Sequence, residues 1–218
     1  MLAGGRVRQG LSWTHRFKNP RDVMADIKHF DPDRALERAE RLFWQHGSAT
    51  TSIQAVTEAT GLNRSSLYAT FGGKRELYLA ALRRYLSHRA RPAFAGLAAD
   101  GRGLAAVRDF FAGLIEVRCA GGFAGWGCMV VNAHTGPERA DPEVRALLDE
   151  HHVELRDALR AALDTAGRLG QLAEGTSTEA VAEVLALLAY GVNLRSRAGA
   201  DADTLRATVA AALAPLAV

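Results

Sequence analysis

The chain has 218 residues, of which 48% are hydrophobic, with a net charge of +3 at pH 7 and two cysteines. This length and apolar content suffice for one large or two small domains with a buried core. So few cysteines exclude a disulfide-dense secreted scaffold and fit a reducing cytoplasm. No apolar run approaches the roughly 18 residues that a bilayer span needs, so we expect no membrane segment.

The charge is unevenly distributed along the chain. Residues 1–90 carry 15 Lys and Arg against 8 Asp and Glu, whereas residues 91–218 carry 12 against 16. A basic part beside an acidic remainder is typical of a protein in which one domain meets nucleic-acid phosphates, although chance scatter of surface charge gives similar counts. Met24 begins a segment that reads like a natural start, so we interpret residues 1–23 as a disordered tail or as an overlong assignment of the start. We expect the N-terminal extension before the first domain to cover residues 1–30.

Helix caps and glycines divide the N-terminal part into four predicted helices. Nothing in the sequence resembles a set of alternating strands. Each of the first three opens on a capping side chain and stops at a glycine, namely Asp31 to Gly47, Ser52 to Gly61 and Asn63 to Gly72. A fourth runs from Lys74 to about Arg89.

The second and third of these helices have the form of a helix-turn-helix. They are short, a tight turn at Gly61 separates them, and the small Ala59 lies where they would approach each other. The third helix leaves polar side chains outward that suit phosphates and base edges in a major groove: Arg64, Ser65, Ser66, Tyr68 and Thr70. For Tyr68 a packed position in the small core is the alternative.

At these residues a family resemblance becomes explicit. Residues 31–90, with the segment TSIQAVTEATGLNRSSLYATFGGKRELYLAAL, resemble the DNA-binding domain of the TetR/AcrR regulators. The resemblance implies that Ser66, Tyr68 and Thr70 face the groove and that Ser52 and Lys74 meet phosphates. Asn63, Arg64 and Ser65 complete the candidate DNA-binding set. The pair Gly72-Gly73 departs from the family, which often has a polar pair there.

The sequence pattern changes at Pro92, and we place the domain boundary near this residue. We interpret residues 91–218 as a ligand-sensing and dimerisation domain. The helices expected here run from Leu104 to Cys119, from Cys128 for a short stretch, from Asp141 to about Leu169, from Thr178 to Arg197 and from Asp203 to Leu213.

The runs GWGCMVVNAHTGPERADPEVRALL and LLAYGVNLRSRAG are similar to a subgroup of the family with a Gly-Cys opening. Some of its members respond to electrophiles or oxidants through a cysteine, others to small organic ligands or copper. This makes Cys128 the candidate sensor, at a helix start where the dipole could lower a thiol pKa. The alternative is an inert buried thiol, as we expect for Cys119.

Several apolar and polar residues could line an effector pocket between these helices, although at helical spacing they could equally be plain core: Phe110, Phe111, Leu114, Trp126, Met129, Tyr190 and Asn193. A metal site joining Cys128 to His134, His151 and His152 is disfavoured, because the spacings match no established ligand pattern. We therefore expect no metal and no cofactor.

Together these patterns predict an all-α protein, with an N-terminal three-helix helix-turn-helix domain followed by a helical bundle. We expect a homodimer through the two C-terminal helices, 178–197 and 203–214, bound to a palindromic double-stranded DNA operator. A small-molecule effector, an oxidant or an electrophile would release this repressor by shifting the fourth helix. No catalytic motif is present, so an enzyme is not expected. The alternative is a helical adaptor without DNA function, and an activator is also compatible with the motif.

Overall fold

Ten α-helices follow one another in residues 31–218, the part of the chain that the computed structural model describes. They are Pro32–His46 (α1), Ile53–Thr60 (α2), Arg64–Phe71 (α3), Lys74–Tyr85 (α4), Arg91–Ala99 (α5), Leu104–Cys119 (α6), Met129–Thr135 (α7), Pro142–Arg168 (α8), Thr178–Arg197 (α9) and Ala202–Leu213 (α10). These residues contain no β-strand, which confirms the predicted fold class. The extension predicted over residues 1–30 lies outside the described residues.

The first three helices begin and end where the sequence predicts, because their caps are local. The side chain of Asp31 accepts hydrogen bonds from the first amides of α1, and Ser52 and Asn63 do the same for α2 and α3. Gly61 follows α2 in the left-handed conformation, with φ of 75°, which lets the chain turn sharply into α3.

The helical path does not break where α4 ends. Leu86–Ala90 form a π-helical turn, and α5 follows directly from Arg91. The sequence did not predict α5, and Pro92, expected to mark a boundary, lies in its first turn. Because Pro92 has no N–H to give to the preceding turn, the irregular π-helical turn directly before it is the place where the helix absorbs the missing hydrogen bond. A division of the chain near residue 90 stays a prediction.

The long α8 forms the centre of the C-terminal part, where it packs against α5 and α9. α10 packs on α6 and α9 through Leu205, Val209 and Leu213, all buried, and its outward side carries alanines and polar residues. The homodimer expected through α9 and α10 stays a prediction. Among residues 31–218, no helix combines the length and apolarity that crossing a membrane requires.

Candidate functional site

The outward side of α3 is polar, whereas its inner side is anchored by Leu67, which is fully buried. Tyr68 is 52% exposed, so the alternative that packed it in the small core is wrong. The other predicted groove-facing residues are also accessible, with Ser66 half-buried and the rest exposed: Arg64, Ser65 and Thr70. This side of α3 has the size and chemistry to enter a major groove.

Two helix N-termini lie beside this surface. The caps Ser52 and Asn63 are both exposed, and neither α2 nor α3 has an acidic residue in its first turn. Both ends therefore keep the partial positive charge that favours a phosphate. The contact predicted for Ser52 stays a prediction.

Lys74 has a structural role that the sequence did not indicate. Its ammonium donates to the carbonyl oxygens of Ser48 and Thr51, each at 2.9 Å, and the side chain is half-buried. These bonds hold the turn between α1 and α2 against the start of α4. One N–H of the ammonium is left over for the predicted phosphate contact.

A buried carboxylate attaches α1 to α4 and to the π-helical turn. Glu40 is 0% exposed and accepts hydrogen bonds from Arg84 Nη1 at 2.6 Å and from Arg89 Nε at 3.0 Å. Arg89 also lies over the ring of Trp44, at 5.0 Å from its centroid. Any shift of this part of α4 therefore acts on α1.

A cavity of about 550 Å³ lies among α4, α5, α6, α8 and α9. Apolar side chains make up much of its lining, among them Phe94, Leu97 and Phe110. Its polar end is formed by hydroxyl, guanidinium, thiol, imidazole and amide groups from Tyr85, Arg118, Cys128, His151 and Asn193. An apolar space with a few convergent polar groups is the usual form of a small-molecule site.

The cavity brings together only part of the predicted effector set. Phe110, Leu114, Cys128, Tyr190 and Asn193 line it. Phe111, Trp126 and Met129 do not, and their expected lining role is wrong for this cavity. Trp126 instead packs edge-on against Trp44 on the far side of the loop, with ring centroids 5.4 Å apart, and Met129 is buried near the end of α1.

Cys128 is 4% exposed and faces the polar end of the cavity, where Tyr85 Oη donates to its Sγ at 3.4 Å. Burial by itself would raise the pKa of the thiol. The opposing hydrogen bond and charge of His151, with the charge of Arg118 and the hydroxyl of Tyr85, prevail and lower the pKa to about 6. The surroundings of the sulfur therefore favour the thiolate form.

The cause of this low pKa differs from the expected one. Cys128 does cap α7, but that helix has only seven residues, and the charged and polar side chains around the sulfur are the main influences. Sequence reasoning missed Tyr85 and Arg118 and considered His151 only as a metal ligand. Among the described residues, no group of three or more candidate ligands could hold a metal ion.

The loop before Cys128 is bonded to the end of α1. Trp44 is 1% exposed, and its indole Nε1 donates to the carbonyl oxygen of Gly127 at 3.0 Å. Gly127 has a φ of +65°, and a Cβ there would lie 3.0 Å from Asn132 Oδ1 and 3.1 Å from the carbonyl oxygen of Asn193. Only glycine fits this turn. The turn places the thiol one residue from a direct contact with α1.

Comparison with known families gives matches over both parts of the chain. A model described as bacterial regulatory proteins of the tetR family matches residues 35–81, and one described as a tetracyclin repressor-like C-terminal domain matches residues 103–212. The HTH-type transcriptional repressor ComR of Escherichia coli is 30% identical over 179 residues, covering 82% of this chain and 85% of its own. The HTH-type regulator YezE of Bacillus subtilis is 30% identical over 195 residues, covering 88% and 100%.

Among solved structures, a cysteine-substituted form of the TetR family regulator CifR, complexed with a 26-base-pair double-strand operator, has a TM-score of 0.77. It is 28% identical, and the match covers 88% of this chain and 99% of that one. The reduced form of E. coli NemR has a TM-score of 0.73 at 19% identity, which shows a shared fold.

Proposed function

The chain belongs to the TetR family of bacterial regulatory proteins, and from this we propose that it is a homodimeric repressor that leaves its operator when its cavity is occupied or Cys128 is modified. DNA binding and repression follow from the family. The dimer, the effector and the thiol are our proposals for this chain. We place its action in the cytoplasm, where its DNA partner lies.

The observation that carries the release mechanism is the position of the cavity. Its walls include Trp44 of α1 and Tyr85 of α4, together with Arg89 of the π-helical turn. A ligand or adduct in the cavity therefore touches residues that hold the helix-turn-helix in place. Coupling of this kind between two sites is typically worth about 1–3 kcal/mol.

The exposed apolar residues of α9 support one surface of the protein as the dimer interface. Val184, Leu187 and Leu194 are 61%, 56% and 50% exposed and lie at positions that share one side of the helix. Val153 of the adjoining α8 is 42% exposed. An apolar face of this kind is the type of surface that homodimers cover. We therefore assign the dimer face to α8 and α9 rather than to α9 and α10.

The test is fluorescence anisotropy with the DNA upstream of the protein's own coding region, with unlabelled random DNA as competitor. The wild type and the Cys119→Ser variant should bind this DNA specifically and lose affinity on treatment with iodoacetamide, a small uncharged alkylating agent. The Cys128→Ser variant should show no response, whatever its starting affinity. Binding that is unaffected by alkylation in all three proteins would overturn the thiol route, and absence of specific binding would overturn the operator assignment.

A further inference from the structure

Arg118 is a buried cation whose partners are neutral. It is 8% exposed, and it donates from Nε to Asn193 Oδ1 at 2.6 Å and from Nη2 to Tyr85 Oη at 3.1 Å. Within residues 31–218, no carboxylate is among the hydrogen-bond partners of its guanidinium. A guanidinium removed from water requires a counter-charge, as Glu40 provides for Arg84 and Arg89.

The Cys128 sulfur is in position to supply that charge. Tyr85 bridges the two groups, because its Oη accepts from Arg118 and donates to Sγ at 3.4 Å. The imidazole of His151 faces the sulfur from α8, and its other side lies near Tyr190, with Nδ1 at 3.4 Å from the Tyr190 hydroxyl. As a thiolate, Cys128 forms an ion pair with Arg118.

This ion pair is in contact with α1 at two points. The guanidinium of Arg118 lies over the indole ring of Trp44, 5.6 Å from its centroid. The same indole donates to the carbonyl oxygen of Gly127, the neighbour of Cys128. Trp44 lies three residues before Gly47, where α1 ends and the chain enters the helix-turn-helix. A displaced Arg118 or Gly127 therefore acts directly on α1.

We propose that the negative charge of Cys128, rather than the space around it, holds the DNA-binding conformation, and that capture of the sulfur by a small uncharged carbon electrophile releases the DNA by leaving Arg118 without a counter-charge. The inference rests on the proposed function and specifies the signal for the same site. In the covalent step the sulfur lone pair forms the S–C bond. With an alkylating agent, the bond from carbon to the leaving group breaks and its electrons depart with the leaving group. With an α,β-unsaturated carbonyl compound, the electrons of the C=C bond move toward the carbonyl oxygen, and the enolate takes a proton from water. The product is a neutral thioether.

The route to the sulfur favours such an electrophile. Cys128 is reached from the cavity, whose lining includes Phe94, Leu97 and Phe110 and also the carboxylates of Asp100 and Asp109. A small apolar molecule enters such a space at little cost, whereas an anion loses its hydration. We therefore expect the uncharged carbon electrophile to be the natural signal.

The decisive experiment compares Cys128→Asp with Cys128→Asn, two side chains of nearly equal shape that differ in charge. With dimer and fold confirmed by light scattering and circular dichroism, Cys128→Asp should bind the operator like the wild type. Cys128→Asn should bind about tenfold more weakly or worse, within the usual range of such coupling. The double variant Cys128→Asn/Arg118→Met should regain part of the lost affinity, because it lacks the unpaired cation. Equal affinities of the Asp and Asn variants would overturn the proposal.

A second measurement does not depend on variants at Cys128. In the Cys119→Ser background, iodoacetamide and iodoacetate leave similar adducts, one neutral and one a carboxylate, and mass spectrometry confirms complete labelling. The neutral adduct should release the operator and the carboxylate adduct should retain it. Equal release by both would overturn the charge mechanism and leave the proposed thiol response intact. No release by either would overturn both.

Discussion

At the residue scale, Tyr68 is an exposed aromatic side chain on α3, so its role in binding can be separated from any role in folding. We expect Tyr68→Ala to weaken specific operator binding by about 1–3 kcal/mol, the usual worth of a base or groove contact. The melting temperature should stay unchanged, because the side chain is 52% exposed. Anisotropy titration and thermal unfolding measure the two effects.

The buried neighbour of Tyr68 is the matched control. Leu67 is 0% exposed, so Leu67→Ala should lower the free energy of unfolding by about 2–5 kcal/mol. Loss of operator binding in that variant would follow loss of structure. A destabilised Tyr68→Ala protein would contradict the assignment of Tyr68 to the DNA surface.

Also at the residue scale, the pKa of Cys128 predicts the pH dependence of its alkylation. The reactive species is the thiolate, so the rate should rise with pH to a midpoint near 6 and then level off. An ordinary thiol would still be gaining reactivity at pH 8. The measurement is the iodoacetamide rate in Cys119→Ser, followed by mass spectrometry.

His151 provides the control for that profile. Its hydrogen bond and charge are the leading influences that lower the pKa of Cys128, so His151→Asn should move the midpoint to higher pH. A midpoint at the value of an ordinary thiol in the parent protein would contradict an ionised Cys128.

At the scale of elements, the bond between α1 and the end of α4 depends on one carboxylate. Glu40→Gln leaves Arg84 and Arg89 without their counter-charge. Those arginines are 22% and 30% exposed, so they can recover some hydration. We therefore expect the free energy of unfolding to fall by about 3 kcal/mol, the lower end of the range for broken buried ion pairs. Urea unfolding measures it.

A surface ion pair on the same helix shows what an exposed carboxylate contributes. Glu37 pairs with Arg41 one turn along α1, with both side chains substantially exposed. Glu37→Gln should therefore lower the free energy of unfolding by about 0.5 kcal/mol or less. Equal losses for the two variants would mean that Glu40 does not fasten α1 to α4.

At the scale of the whole molecule, the proposed dimer brings two α3 helices to successive major grooves, about 34–36 Å apart. Leu187→Glu places a charge in the middle of the α9 apolar face. We expect it to give a monomer in light scattering and to lose operator affinity, since a single half-site contact remains. Retention of a dimer at micromolar concentration would contradict the assigned face.

Leu169→Glu is the matched control for this prediction. Leu169 is 54% exposed, much like Leu187, but it lies beyond the end of α8 rather than on the apolar side of α9. The same charge there should leave a dimer that binds the operator. Dissociation of both variants would show that the effect is not specific to the α9 face.

The sequence by itself determined the helix-turn-helix, its boundaries and the family. Caps, glycine turns and helical spacing act between residues a few positions apart, so α1 to α3 can be predicted from short segments. The same local signals failed at Pro92, where the prediction ended a helix that packing continues into α5.

Only the tertiary structure decided the surroundings of Cys128. The partners Tyr85 and Cys128 are 43 positions apart, Arg118 and Asn193 are 75 apart, and the indole of Trp44 bonds a carbonyl 83 positions away. No local pattern encodes such contacts, because each depends on how α1, α4, α6, α8 and α9 pack together. The sequence singled out the thiol, but its ionisation and its link to the DNA-binding helices arise from that packing.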